Sequence, residues 1–443
     1  MSQLADESTR ATSRDRAAES ARAACRTAPG GAHPGSRAGS AVAVTGLGVV
    51  TPAGADEHSF WTGLCSGRST ARRCDELAGL PVDFACPVDS IDLDAAIGGR
   101  SVWRMARFVK LALVAARQAV ADAGHDPARW DGGRVGVVLG VGVGGVSVLV
   151  DNARRLADDG PDAVSPLLVP MMIPNAAAGE VAIALGARGP SLAPVTACAS
   201  GATAISVARD LLDSGQCDIV VAGGAESVLT PLVVTAFARM GALSTRSDDP
   251  ASASRPFAAD RDGFVMGEGA AMLVLEREKD VTARGGRTRA LLVGAGSSTD
   301  AYHPTAPEPD GRGAQRAVEE ALRQADWARG EVDHVNAHGT STLLNDAMEN
   351  ALIGRLFPHA PTVTAPKGVV GHTLAAAGAI EAVATVLTLE HGLVPPIANL
   401  DSVTDAFELD CVVKEPRGQI VETAVSHSFG FGGHNVALAF QRA

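Results

Sequence analysis

Cys198 is the residue of this sequence whose setting best suits nucleophilic chemistry. It lies in VTACASGATAISVARDLLDSG, where a strand-like Val-Thr pair precedes apolar residues at helical spacing. This pattern predicts a strand-to-helix turn with the thiol at the helix N-terminus, where the helix dipole lowers a thiol's pKa and favours the thiolate. The alternative is a small buried hydrophobe, which is the only interpretation for Cys65, Cys217 and Cys411.

Two histidines also stand at the ends of predicted elements. His338 follows an apolar strand and opens a Gly-Thr-Ser-Thr loop, and His372 begins an Ala-rich helix five residues after Lys367. Asp346 and Glu349 are three residues apart and share one face of a helix, so either carboxylate is a predicted partner of Lys367. Each histidine taken alone is explained equally well as a core or surface residue. No HExxH or Cys/His spacing is present, so we expect no metal site.

The C-terminal segment SHSFGFGGHNVALAF sets Phe429 and Phe431 among glycines. Aromatic residues make up only 4% of the chain, and glycine lets a backbone approach a ligand closely. Phe429 is therefore a candidate for a movable wall of a site. The alternative is a glycine-rich turn before the final strand.

The composition limits the function classes. The chain has 443 residues, 46% of them hydrophobic, and a formal net charge of −12. It can bury a large core, and it lacks the basic balance of a generic nucleic-acid binder. No run of about 18 apolar residues predicts a membrane span. The seven cysteines are scattered without paired spacing, which favours a reducing, cytoplasmic location.

The order of elements predicts an α/β fold. Residues 1–40 are rich in Ala, Arg, Ser and Gly and are expected to form a disordered leader. From residue 41, apolar strands alternate with helices, which is typical of sheets buried on both faces. The clearest helices are predicted at about 102–123 and 374–390. The clearest strands are predicted at 135–139, 219–222, 271–275 and 436–440.

A weak internal repeat indicates two similar halves, 41–287 and 288–443. Three pairs of segments run from an apolar stretch into a small-residue turn: 41–54 with 289–304, 134–145 with 332–342, and 195–205 with 366–380. Two such halves packed together would place these turns around a shared centre. This favours one catalytic unit over the roughly three domains that chain length alone suggests.

The motifs TACASG, NAHGTST, PKGVVGH and SFGFGGHN together resemble those of the β-ketoacyl-acyl carrier protein synthases of the elongating, Cys-His-His type. The likeness runs from about residue 41 to 443. It implies a thiolase-like fold of two similar halves in five αβαβα layers. It also implies an acyltransferase that condenses malonyl-carrier protein with an acyl thioester held on Cys198, with loss of carbon dioxide, and extends the chain by two carbons.

The resemblance also assigns roles to individual residues. His338 and His372 assist decarboxylation, Lys367 tunes the histidines, and the amides of Cys198 and Phe429 form an oxyanion hole. Further contacts follow the same pattern: Thr340 and Thr342 touch the phosphopantetheine arm, Phe429 is the gate with Phe431 beside it, Val143 is the wall of the acyl pocket, and Asp346 and Glu349 support the site. No separate cofactor is expected, because the phosphopantetheine arrives on the carrier.

Two residues depart from the family pattern. Leu343 replaces the usual proline of HGTSTP, and His427 stands where asparagine is common, beside the gate. These departures put the substrate range in doubt. Two functions therefore stay open: fatty acid elongation and elongation by the ketosynthase of a type II polyketide pathway. A third alternative is a partner subunit that binds carrier protein without condensing. Thiolases are disfavoured because Cys411 lies too far from SFGFGG, and CoA-using priming synthases because His372 replaces their asparagine.

Acidic acyl carrier protein is the expected partner, and the chain is expected to form a homodimer or a heterodimer with a chain-length partner subunit. No nucleic acid or membrane is expected to bind. A carrier that is itself acidic requires a local basic surface. Two groups of cationic residues are candidates: Arg100, Arg104, Arg107, Lys110 and Arg117, and then Arg68, Arg72 and Arg73.

Overall fold

A computed structural model describes residues 41–401 and 409–443. Its strands are β1 Val42–Val50, β2 Arg72–Arg73, β3 Phe84–Ala85, β4 Val135–Gly140, β5 Ser191–Leu192, β6 Ile219–Glu226, β7 Gly269–Arg277, β8 Ala290–Thr299, β9 His334–Asn336, β10 Thr362–Thr364, β11 Leu393–Val394, β12 Asp410–Cys411, β13 Arg417–Gly418, β14 Thr423–Gly430 and β15 His434–Arg442. The leader predicted at 1–40 lies outside the described residues.

The helices surround and separate these strands. They are α1 Glu57–Cys65, α2 Leu93–Ile97, α3 Arg107–Asp122, α4 Val146–Asp159, α5 Leu168–Met172, α6 Ala176–Leu185, α7 Ser200–Asp213, α8 Pro231–Arg239, α9 Glu278–Arg284, α10 Arg312–Ala325, α11 Leu343–Leu356, α12 Lys367–Val370 and α13 Ala377–His391.

The same strand order occurs twice in the main sheet. The first half runs β5-β4-β6-β7-β1 and the second runs β10-β9-β14-β15-β8, with β12 added beyond β10. In each half the first three strands are parallel and the last two pairings are antiparallel. The predicted repeats therefore occupy matching places in the two halves. A short antiparallel pairing of β1 with β8 joins them, and the boundary at residue 287 stays a prediction.

Helices α7 and α13 fill the space between the two halves. One apolar cluster contains both helices and strands from each half. A second cluster packs α3 and α6 on the outer face of the first half, and a third packs α10 and α11 on the outer face of the second half. These are the five αβαβα layers expected of a thiolase-like fold.

The central helices approach each other closely at two glycines. A Cβ atom on Gly378 would lie 2.7 Å from Ser428 Oγ and 2.9 Å from Ala202 Cβ, and one on Gly201 would lie 2.9 Å from the Ala375 carbonyl oxygen. Such distances are below any normal contact, so only glycine fits there. The high glycine and alanine content thus allows two helices to share one layer.

The two long helices are close to their predicted limits. The first is a 3₁₀ turn at Val102–Arg104 followed by α3, because Met105 adopts an extended backbone. The second is a 3₁₀ turn at Leu374–Ala376 followed by α13, which ends at left-handed Gly392. Among described residues, 374–391 is the one helical stretch long and apolar enough to cross a membrane, and 89% of it is buried in the protein. It is the central core helix.

The close approach of α7 and α13 predicts opposite effects of two Gly→Ala substitutions. Gly378→Ala should lower the free energy of unfolding by ~1–3 kcal/mol, because the added methyl group overpacks the central layer. Gly354→Ala is the matched control: Gly354 lies exposed in α11 with open space at its Cβ position. It should raise stability by up to ~1 kcal/mol through helix propensity.

Urea denaturation of both variants measures these values. An unchanged or increased stability of Gly378→Ala would contradict the packing of the two central helices.

Candidate active site

Parallel neighbouring strands deliver three of the predicted site residues to one edge of the sheet. Strands β14, β9 and β10 lie side by side and parallel. Phe429 lies at the end of β14, His338 follows β9 by two residues, and Lys367 follows β10 by three. The carboxyl ends of parallel strands meet at one edge, so this part of the site follows directly from the sheet topology.

Cys198 comes from the first half and meets these residues at the centre. It lies in a 3₁₀ turn, Ala197–Ala199, directly before α7. Ala197 has a φ of +49°, a left-handed conformation that is costly for a residue with a Cβ atom. A strained turn therefore presents the thiol directly before the predicted helix, but the predicted strand at Val195 and Thr196 is absent, because β5 ends at Leu192.

The predicted lowering of the thiol pKa is wrong. Burial raises the pKa of Cys198 to about 11, because a thiolate loses its hydration in this setting. The Lys367 cation and a hydrogen bond from the Phe431 amide both act in the opposite direction and lower the pKa. Desolvation outweighs these two effects on the pKa. The position of Cys198 at a helix N-terminus, which is all that the sequence indicates, does not show how deeply the thiol is buried.

A cavity of about 570 Å³ brings the predicted residues together. Its lining includes Cys198, His338, His372, Phe429 and Phe431. Thr340, Thr342 and Val143 also line it. The predicted oxyanion hole, formed by the amides of Cys198 and Phe429, stays a prediction.

Lys367 is paired differently from the prediction. We expected Glu349 or Asp346 as its partner, but Nζ forms an ion pair with Glu381 in α13. Nζ also donates to the His338 carbonyl oxygen at 2.6 Å and to His338 Nδ1 at 3.1 Å. The cation is buried, with 1% of its surface exposed. Helix spacing alone suggested Asp346 and Glu349 as partners, whereas the fold brings Glu381 of α13 next to Nζ.

The hydrogen bonds of the two histidines define where their protons lie. An ammonium group has no acceptor, so His338 Nδ1 accepts from Lys367. His372 Nδ1 accepts from the Leu374 amide at 3.3 Å. Burial and the Lys367 charge hold the pKa of both imidazoles well below the usual range. Both rings are therefore neutral with the proton on Nε2, and their centroids lie 5.5 Å apart.

Asp346 and Glu349 hold the loop that carries His338. Both are fully buried on one face of α11, as predicted. Glu349 accepts the amides of His338 and Gly339, each at 2.8 Å, and Asp346 accepts the amide of Thr340 at 3.0 Å. The carboxylates thus fix the backbone of the loop at residues 338–340 and do not pair with Lys367. Leu343 is the first residue of α11, after Thr342 as N-cap, where its side chain is exposed.

Glu226 and Glu381 are functional candidates that the sequence analysis missed. Glu226 ends β6 and accepts the amides of Gly142 at 2.8 Å, Val143 at 3.1 Å and Gly144 at 3.3 Å. It therefore shapes the predicted acyl-pocket wall. A carboxylate at the end of the apolar strand in VAGGAE was an available signal. Glu381 carried no such signal, because it lies within an apolar helix.

No metal-binding cluster is found in the part of the chain that the structure describes: no group of three or more His, Cys, Asp or Glu side chains is arranged to hold an ion. The cavity lining includes a thiol and two neutral imidazoles, and the buried Lys367 ammonium group contacts one of these, His338. The expectation that no metal participates stays a prediction.

The two-fold repeated α/β halves and the cysteine beside a histidine pair define a thiolase-like protein. Sequence models described as "Beta-ketoacyl synthase, N-terminal domain" and "Beta-ketoacyl synthase, C-terminal domain" match residues 39–281 and 289–401. The chain belongs to the β-ketoacyl synthase family.

Known relatives fall into two groups by name. A 3-oxoacyl-[acyl-carrier-protein] synthase 2 of Synechocystis sp. is 44% identical over 407 residues, which cover 90% of this chain and 98% of that protein. The structure of the ishigamide ketosynthase/chain length factor is similar with a TM-score of 0.85 at 32% identity, covering 91% of this chain and 100% of that one. A type II polyketide ketosynthase bound to its acyl-carrier protein also has a TM-score of 0.85, at 29% identity and with the same coverage.

The contact of Lys367 with the site predicts the reactivity of Cys198. Because the thiol pKa lies above neutral pH, the thiolate fraction and the rate of alkylation should rise steadily from pH 7 to 9. Lys367→Met should slow alkylation several-fold at each pH, because removal of the cation raises the thiol pKa further. Lys279→Met, on an exposed residue of α9, is the matched control and should leave the rate unchanged.

Mass spectrometry of the peptide that contains Cys198 after timed iodoacetamide treatment measures both effects. Alkylation that is equally fast in Lys367→Met and wild-type protein would show that the cation does not act on the thiol.

Proposed function

We propose that this chain is a 3-oxoacyl-acyl carrier protein synthase that extends an acyl chain by two carbons through decarboxylative condensation. The observation that carries the proposal is one cavity with a cysteine thiol and two neutral imidazoles whose protons lie on Nε2. A thiol supplies a nucleophile for acyl capture, and two N–H donors supply a site for a developing oxyanion. The family's 3-oxoacyl synthase relatives support the same assignment.

The first step transfers the acyl group to Cys198. The sulfur attacks the thioester carbonyl of acyl-carrier protein, a new S–C bond forms, and the pantetheine thiol leaves with the proton that the cysteine gives up. Lys367 favours the thiolate, since its charge lowers the thiol pKa against the effect of burial. Phe429 is 6% exposed in the cavity and acts as the gate that moves aside for the acyl chain.

The second step decarboxylates malonyl-carrier protein. The C–C bond to the carboxylate breaks, carbon dioxide leaves, and the electron pair moves toward the thioester oxygen to give an enolate. The Nε2–H groups of His338 and His372 donate to this oxygen. The enolate carbon then attacks the acyl thioester, and Cys198 leaves as the thiolate. Neutral imidazoles suit this task because they stabilise the enolate without protonating it fully.

Polar and apolar groups of the cavity contact different parts of the substrate. Thr340 Oγ1 and Thr342 Oγ1 lie 2.9 Å apart on the catalytic loop and are placed to contact a phosphopantetheine arm that arrives on the carrier. Val143 forms the acyl wall, which Glu226 holds through three backbone amides. No separate cofactor enters the reaction.

Acyl carrier protein is the proposed partner, and the basic surface that steers it is smaller than the sequence suggests. Arg107 forms a 2.7 Å ion pair with buried Glu268, so its charge is partly neutralised although 43% of its side chain is exposed. Other candidates are paired as well: Lys110 with Asp94, Arg117 with the Ile97 carbonyl, Arg72 with Asp89 and Arg73 with Asp83. Arg68 and Arg100 are exposed, and Arg104 has only a 3.8 Å contact with Glu180. These three are the better candidates for carrier steering.

We further propose that the chain works as a cytoplasmic homodimer. Strand β5 ends the sheet, and Leu192 on it is 42% exposed. An exposed edge strand with an apolar side chain favours pairing with a second chain. Pairing with a non-identical chain-length partner is the alternative, and a similar protein is named as such a ketosynthase/chain length factor.

Elongation in a type II polyketide pathway is the second candidate function. The structural neighbours named for polyketide ketosynthases favour it, whereas the 3-oxoacyl synthase relatives favour fatty acid elongation. The chemistry of the site is the same in both. The product length that forms with excess malonyl-carrier protein and no reductase separates the two functions. Extension by a single two-carbon unit indicates fatty acid elongation, and repeated extension without reduction indicates polyketide synthesis.

Cys198→Ala should abolish condensation, by at least about a thousandfold, because no thiol remains to hold the acyl group. Decarboxylation of malonyl-carrier protein should persist, since His338 and His372 are unchanged. Cys217→Ala is the matched control at a buried cysteine remote from the cavity lining and should keep both activities.

The assay measures 3-oxoacyl product and carbon dioxide from the same reaction. Equal 3-oxoacyl product from Cys198→Ala and wild-type protein would refute the role of Cys198 as the acyl-holding nucleophile. No product from the wild-type protein would refute the enzyme assignment and favour a subunit that only binds carrier protein.

A further inference from the structure

His427 is a buried imidazole to which the proposed reaction gives no role. It lies on β14 two residues before Phe429, so the two side chains project from the same face of the strand. Their ring centroids are 5.4 Å apart, with 33° between the ring planes. The imidazole is completely shielded from solvent. Phe429 therefore rests on a fixed ring.

The same imidazole contacts Glu349. His427 Nδ1 lies 3.0 Å from Glu349 Oε1, and with the carboxylate as acceptor the proton lies on Nδ1. This oxygen also accepts the His338 amide at 2.8 Å, and Oε2 accepts the Gly339 amide at 2.8 Å. One carboxylate thus joins His427 to the backbone of the catalytic loop.

A third contact joins Phe429 directly to His338. The His338 ring lies 5.8 Å from the Phe429 ring, between centroids. The contacts therefore form a closed ring of four residues: His427, Phe429, His338 and Glu349. Phe429 packs on His427, and Glu349 contacts both His427 and the His338 amide. Movement of Phe429 away from the cavity must break its contact with His427.

We propose that His427 is a positioning residue that ties the gate Phe429 to Glu349 and, through it, to the loop of His338. Its ring holds the gate closed, and its Nδ1–H helps Glu349 hold the catalytic loop. The inference rests on the proposed function and adds to it a residue that couples acyl entry to decarboxylation.

Two substitutions separate these roles. His427→Asn keeps an N–H donor toward Glu349 but removes the ring, so acylation of Cys198 by acyl-carrier protein should become at least threefold faster, with carbon dioxide release from malonyl-carrier protein within twofold of wild type. His427→Phe keeps a ring under Phe429 but removes the donor, so carbon dioxide release should fall at least fivefold, with acylation within twofold.

His334→Asn is the matched control. His334 is a fully buried histidine on the neighbouring strand β9, and its Nδ1 contacts Thr362 Oγ1 at 3.1 Å, away from the cavity lining. This variant loses a buried imidazole and a similar contact, so it reports the effect of a weakened core alone. Both half-reactions should stay within twofold of wild type.

A second measurement covers the case in which His427→Phe does not fold. In a Phe429→Leu background, His427→Asn should no longer accelerate acylation, because the contact that it removes is already absent. Equal effects of the two His427 variants on both half-reactions, or an unchanged His427→Asn effect in the Phe429→Leu background, would overturn the inference.

Failure of the proposed function can be distinguished from failure of this inference by the behaviour of the wild-type protein. It would appear as a wild-type chain that neither becomes acylated nor releases carbon dioxide. In that case the rate of iodoacetamide alkylation of Cys198 still reports the gate. His427→Asn should raise that rate at least threefold and His334→Asn should not, and the absence of this difference would overturn the inference.

Discussion

The buried contact of Lys367 with Glu381 and His338 is the interaction on which the site depends. Lys367 has 1% of its residue surface exposed, and a buried ammonium group is costly unless a carboxylate and further acceptors surround it. Glu381 provides the charge from α13, and His338 provides both a carbonyl oxygen and Nδ1. The same cation therefore fixes the tautomer of His338, adds to the effect of burial that keeps this imidazole neutral, and opposes the effect of burial that raises the pKa of Cys198.

This arrangement requires the two halves to meet through a thin central layer. Lys367 follows a strand of the second half, Cys198 precedes α7 of the first half, and Glu381 lies in α13 between the sheets. Glycines at 201 and 378 let the two helices come close together, which brings these groups to one region between the halves.

Much of the site could be predicted because its residues follow strand ends within short motifs. The features that could be predicted are all local: the turn at Cys198, the positions of the two histidines and Phe429 at the cavity, and the shared helix face of Asp346 and Glu349. The partner of Lys367 could not be predicted, since Glu381 lies fourteen residues away in a helix whose path depends on the whole fold. Burial of Cys198 and the pairing of Arg107 with Glu268 are likewise tertiary effects, which spacing and local charge do not contain.

The most direct test is the proton position on His338 and His372. Nitrogen-15 spectra of histidine-labelled protein at pH 7, assigned with His338→Gln and His372→Gln, report protonation at each ring nitrogen. The account predicts an unprotonated Nδ1 and a protonated Nε2 on both rings. A protonated Nδ1 on His338, or an imidazolium at either position, would contradict the role of Lys367 as the donor that fixes the site.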